Sequence, residues 1–119
     1  MEFLFVGVGG AVGAMLRYGI SLTPYKGTFP ILTLITNIIG AVLIGAIVGV
    51  AVKKNWSSNT VLFLKTGVCG GFTTFSTFSL EAHNLFQAGR PAMAVIYMIV
   101  SVLCCVSGVM IGMLAAEKC

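Results

Sequence analysis

Apolar residues fall along this chain in four long blocks, with polar residues gathered between them. The blocks cover residues 3–22, 31–52, 60–87 and 92–116. Each reaches the roughly 20 residues a helix needs to cross hydrocarbon. Thr23-Pro24-Tyr25-Lys26-Gly27-Thr28-Phe29-Pro30 predicts a turn, fixed by two prolines and a glycine. Lys53-Lys54-Asn55-Trp56-Ser57-Ser58 places cations and a tryptophan where a membrane–water boundary favours them. Ala88-Gly89-Arg90-Pro91 predicts a second tight turn. The pattern predicts an all-α membrane protein: one domain over residues 1–119, with four transmembrane helices.

The third block departs from the others. Gly70-Gly71-Phe72-Thr73-Thr74-Phe75-Ser76-Thr77-Phe78 sets paired glycines and a run of hydroxyls inside an apolar segment. This predicts a break in the third helix at Gly70–Thr74. In a bilayer, backbone that leaves helical geometry must find other partners, which only protein or a water-filled path supplies. Such breaks therefore mark ion or substrate sites.

Composition agrees with a membrane protein. Of 119 residues, 58% are apolar and 8% charged, against about 25% charged in ordinary soluble domains. Net charge is +4, but the seven basic residues are scattered over loops and helix ends without a stripe, which argues against nucleic acid. They read as interface anchors. Orientation is weakly specified: Lys53, Lys54 and Lys118 fall at one end, Lys26 and Arg90 at the other, and Arg17 and Lys65 add one to each side. The positive-inside rule needs a clearer excess, so insertion both ways round is compatible with the sequence. No cleavable signal is expected at the N-terminus.

Glycines four apart recur in every block: Gly9/Gly13, Gly45/Gly49, Gly67/Gly71 and Gly108/Gly112. Small residues at this spacing let helix backbones approach. One pair per helix suggests more close contacts than four helices need, hence an oligomer. Gly7-Val8-Gly9-Gly10-Ala11-Val12-Gly13 does not match a dinucleotide fingerprint, and no strand–helix–strand unit follows. Cys69, Cys104, Cys105 and Cys119 include no CxxC and read as small packing residues. His83 is the only histidine, with no ligand cluster around it.

Polar residues inside the blocks are the functional candidates, because hydrocarbon makes them costly. Asn37 offers two donors and an acceptor, either as interhelical glue or as a pore-lining donor. Tyr97 and Ser101 lie one turn apart on one face of the fourth helix, and Cys105 continues that face. Phe75 and Phe78, three apart, are either packing residues or rings turned edge-on to a path, where their positive edges could assist an anion. Glu81 and His83 show no acid–base spacing, and nothing supports an enzyme.

Gly9-Gly10-Ala11-Val12-Gly13-Ala14-Met15-Leu16-Arg17-Tyr18, Thr36-Asn37-Ile38-Ile39-Gly40 and the Gly70–Phe78 run together resemble the Fluc/CrcB fluoride channels, in that family's order and spacing over almost the whole chain. The resemblance implies a passive, fluoride-selective channel, an antiparallel dual-topology dimer with two pores. It also implies a structural sodium ion at the dimer centre, held by main-chain carbonyls of Gly70 and Thr73. Phe75 and Phe78 would be pore rings, Asn37 a pore donor and Arg17 a vestibular cation. Tyr97 and Ser101 would form a hydroxyl track whose next position is Cys105, with Thr74, Ser76 and Glu81 at the pore mouth. The expected partners are fluoride, the lipid bilayer and a second copy of the chain or a paralogue, in the cell inner (plasma) membrane.

Two other classes fit less well. A small proton-coupled multidrug-type exporter needs a carboxylate buried in the first helix, and Glu2 precedes that segment. A purely structural bundle leaves Asn37, the break and Glu81 without a reason.

Overall fold

The computed structural model describes residues 1–119, as helices joined by short turns and loops. Helix α1 spans Glu2–Ser21 and α2 spans Ile31–Lys54. A helical run over residues 58–72, here α3, follows. It consists of α-helix at Ser58–Val61, π-helix at Leu62–Cys69 and an α-helical turn at Gly70–Phe72. Thr73 and Thr74 are extended, α4 covers Phe75–Gln87, and α5 covers Pro91–Glu117.

The ends of these helices follow from local chemistry. Asn55 closes α2 in the left-handed conformation (φ 53°, ψ 52°), which asparagine tolerates better than most residues. The Ser57 hydroxyl accepts the Thr60 N–H and starts α3, as the Thr74 hydroxyl accepts the Thr77 N–H and starts α4. Gly89 takes a positive φ of 77° after α4, and Pro91 opens α5 at a first-turn position where its missing N–H costs nothing.

Three helices, α1, α2 and α5, are long and apolar enough to cross a membrane. The molecule is 49 Å along its longest axis, close to the roughly 40–45 Å of a bilayer with its headgroups. Only 20 of 119 residues are buried, and the exposed remainder is rich in leucine, isoleucine, valine and methionine. Water would not tolerate that surface, whereas lipid is its natural solvent. The chain is a multi-pass membrane protein.

Packing divides the bundle into two tight pairs, α1 with α3 and α2 with α5. A methyl group added at Gly9 or Gly13 would strike the α3 backbone at Phe63, Gly67, Val68 or Phe72. One added at Gly67 or Gly71 would strike the α1 backbone at Gly9 or Gly10. Likewise Gly45 and Gly49 face Val109 and Ala116, and Gly112 faces the Val42 carbonyl. All four pairs therefore meet partners within the chain itself. They do not argue for the oligomer that their number suggested, because each helix uses its glycines on its own neighbour.

Lys53 Nζ donates to the carbonyls of Glu117 and Cys119 at 2.7 Å, which brings Lys53 and Lys118 to the same end of the bundle. The core lies toward the other end, where Leu34, Phe78, Ala82, Leu85, Ala94 and Tyr97 pack together.

Candidate functional site

The interruption after α3 is narrower than the sequence suggests. Gly70 is helical (φ −62°, ψ −37°), and the chain leaves the helix only at Thr73 (φ −85°, ψ 157°) and Thr74 (φ −150°, ψ 116°). The glycines do not unwind the backbone; Gly71, with Gly67 a turn earlier, lets α3 lie against α1. Gly40 on α2 leaves the space that the Thr73 methyl fills.

The freed backbone groups are met from three sides. Asn37 Nδ2 donates to the Thr74 carbonyl at 3.2 Å, and the Thr74 N–H donates to Asn37 Oδ1 at 2.9 Å. This two-point clamp leaves one Asn37 N–H for another acceptor. Arg17 Nε donates to the Gly71 carbonyl at 3.2 Å, a cation at the negative pole of α3. The Thr73 N–H and hydroxyl both donate to the Cys69 carbonyl, at 3.0 and 2.9 Å. The Thr73 carbonyl accepts no hydrogen bond from the chain.

Beside the interruption lies a groove of about 450 Å³. Asn37, Gly40, Ala41 and Ile44 line it from α2; Cys69, Gly70, Thr73, Thr74, Phe75 and Phe78 from the interrupted region; Ser101, Val102, Cys105, Val106 and Val109 from α5. Its walls are mostly apolar, with a few polar atoms converging on them. Ser101 is 6% exposed and its Oγ has no hydrogen-bond partner, the only buried side-chain N or O atom in that state. Buried hydroxyls are normally paired, so an unpaired one facing a groove is a donor in waiting.

Two aromatic rings line this groove, those of Phe75 and Phe78. Phe75 and Phe78 have centroids 5.4 Å apart, and Phe78 lies 5.1 Å from Tyr97, which meets Phe29 edge-on at 5.5 Å. Phe78 is buried, whereas Phe75 is 78% exposed.

Behind Phe78, Tyr97 is fully buried and its hydroxyl donates to Glu81 Oε1 at 2.9 Å. Thr33 Oγ1 donates to Glu81 Oε2 at 3.0 Å. Glu81 in turn lines a second cavity of about 380 Å³, roofed by the loop after α1 and lined also by Phe29 and Asn84. Phe78 and Tyr97 therefore stand between the groove and this second cavity.

The structure thus gathers Asn37, Gly70, Thr73, Thr74, Phe75, Phe78 and Ser101 on one groove, and Tyr97 and Glu81 just beyond it. Arg17 lies outside, bound to Gly71. Ser76 is exposed and touches only the Thr74 hydroxyl, at 3.3 Å. Thr33 and Phe29 join the site without having been singled out in the sequence. Thr33 was within reach, since it precedes Asn37 by one turn on the same face of α2. Phe29 was hidden in a turn.

Comparison with known proteins fits this arrangement. Residues 4–113 match the family described as CrcB-like protein, Camphor Resistance (CrcB). Three similar proteins each carry the name Fluoride-specific ion channel FluC. One from Azobacteroides pseudotrichonymphae genomovar. CFP2 is 38% identical over 98% of this chain and 96% of its own length. One from Ruminiclostridium cellulolyticum is 46% identical over 94% and 89%. One from Methylobacterium sp. (strain 4-46) is 42% identical over 94% and 93%. These relatives are named as ion channels rather than enzymes. With the match running over nearly its whole length, the chain belongs to the CrcB family.

Proposed function

We propose that this protein is a passive, fluoride-selective ion channel that lets cytoplasmic fluoride leave down its electrochemical gradient. Fluoride that enters as the neutral acid and dissociates inside would be its cargo. The observation that carries the reading is the Ser101 hydroxyl, buried without a partner on a groove shared with Asn37, Phe75 and Phe78. The relatives' printed name supplies the ion.

The physics of the groove suits a small, strongly hydrated anion. A selective path must replace water donors without holding the ion too tightly. Ser101 offers an O–H, Asn37 its remaining N–H, and Phe75 and Phe78 the positive edges of their rings. No full cation lines the groove, so no deep electrostatic trap stands in the way. Beyond Phe78, the Tyr97 and Thr33 hydroxyls already donate to Glu81. A fluoride ion arriving there competes with the carboxylate for those donors, and release of either hydroxyl would hand the ion toward the second cavity.

The working unit in this reading is an antiparallel dimer in the inner membrane, with two pores. Phe75, 78% exposed beside the groove, supports it, since a second copy would cover that ring and complete the wall. The interrupted region also suits a structural sodium ion. The last turn of α3 carries the negative pole of a helix, and the Thr73 carbonyl is without a partner there, the kind of oxygen a hard cation prefers. Gly70 and Thr73 would hold the ion, which would supply a fixed positive charge binding the two subunits at their centre.

Purified protein in liposomes tests the proposal. Fluoride should leave the vesicles far faster than chloride, as read by a fluoride electrode. Absence of efflux from demonstrably folded dimer would reject it.

A further inference from the structure

We propose that Cys105 makes the groove a binding site for a soft monovalent metal cation, Ag(I) or Cu(I), and that the bound metal closes the passage. The inference rests on the reading of the groove as the ion path. Ser101 and Cys105 are one helical turn apart on α5 and both line the groove. Cys105 is a free, half-buried thiol. The Ser101 oxygen, one turn away on the same wall, is buried and has no partner in the chain, so it is a second atom available to a metal bound at Cys105.

A thiol at this place behaves unlike a hydroxyl. Sulfur is a weak hydrogen-bond donor, so it offers little to a hard anion such as fluoride. Its thiolate is instead a selective ligand for soft monovalent metals, which fluoride, itself hard, does not hold in competition. In the step, the S–H bond breaks, an S–metal bond forms and the proton leaves to water, with no change in oxidation state. The product, a neutral metal thiolate, adds no net charge to the apolar wall, which removes the main cost of placing a cation there. The Ser101 oxygen has lone pairs to complete the metal's coordination. Ser101 would then no longer serve as a donor, and metal would occupy the groove beside Phe78.

Cys69 also lines the groove but is only 2% exposed, and Cys104 is not on its wall. Metal sensitivity should therefore belong to Cys105.

The test uses the full chain in chloride-free liposomes with silver nitrate. Each protein's fluoride efflux is compared with its own silver-free rate, and alkylation of Cys105 by N-ethylmaleimide is followed by mass spectrometry. At ten times its dissociation constant, silver fills about nine sites in ten, so efflux should fall about tenfold and Cys105 alkylation should slow about tenfold. Efflux through the Cys105→Ser protein should lose its silver sensitivity, while the Cys104→Ser and Cys69→Ser proteins should keep it. Equal silver sensitivity in Cys105→Ser would overturn the proposal. So would Cys105 alkylating at the same rate with and without silver, or not alkylating at all in the folded protein. If the wild-type protein passes no fluoride, the ion-path reading fails, and the alkylation measurement still decides the metal site.

Discussion

Asn37 and Ser101 line the same groove, yet their substitutions should separate. Asn37 holds both backbone groups of Thr74, so Asn37→Leu leaves an N–H and a carbonyl unpaired in an apolar setting. The cost should be about 1–3 kcal/mol, and flux should fall with stability. Ser101→Ala removes a hydroxyl that bonds to nothing in the chain, so unfolding should be unchanged while fluoride efflux slows. Denaturant unfolding in detergent and an electrode efflux assay, run on both proteins, check the pair. Equal destabilisation would mean Ser101 has a structural partner after all. Glu81 makes a parallel case: Glu81→Gln keeps an acceptor for one hydroxyl and offers an N–H to the other, so the Thr33–Glu81–Tyr97 connection should weaken more than the packing around it. The expected result is reduced flux in a protein that still folds.

At the level of helices, glycine is required by backbone approach rather than by conformation. Gly13 lies against the Val68 and Phe72 backbone, where a methyl has no flexible side chain to displace. Gly13→Ala should cost about 1–3 kcal/mol through overpacking. Gly7, on the same helix, has open space around it, and Gly7→Ala should be neutral or stabilising by up to about 1 kcal/mol from helix propensity alone. Thermal unfolding of the two variants tests this contrast, and a matching loss in both would mean that α1 is not clamped as described. The interruption between α3 and α4 has a comparable logic. Thr74→Ala removes the hydroxyl that accepts the Thr77 N–H, which should loosen the start of α4 by about 1 kcal/mol.

For the molecule as a whole, the two rings beside the groove differ in exposure. Phe75 is largely exposed and Phe78 is not, so replacing both with isoleucine should abolish flux through different routes: loss of an exposed ring beside the groove and loss of one in the core. A structural bundle without a passage would barely notice the double change. Replacing sodium by a larger cation on both sides should weaken activity or assembly if the Thr73 carbonyl belongs to a cation site.

Much of this protein was readable from its residues in order. Segment lengths and hydropathy are properties of consecutive residues, and a bilayer imposes one length scale on them, so the spans at 31–52 and 92–116 fall within two residues of helices α2 and α5. Glycines four apart mark faces of close approach for the same local reason, and the three motifs together pointed to the family. The partners of those faces were not readable. That Gly9 meets Gly67, that Asn37 reaches Thr74 across 37 positions, and that Arg17 reaches Gly71 across 54 depend on the rotation and sliding of one helix against another. Thr33 joined Glu81 for that reason, and it is Gly71, not Gly70, that packing sets against the Gly10 backbone of α1. Periodicity says which side of a helix faces protein; only packing, where each bulky side chain excludes another, decides what stands opposite.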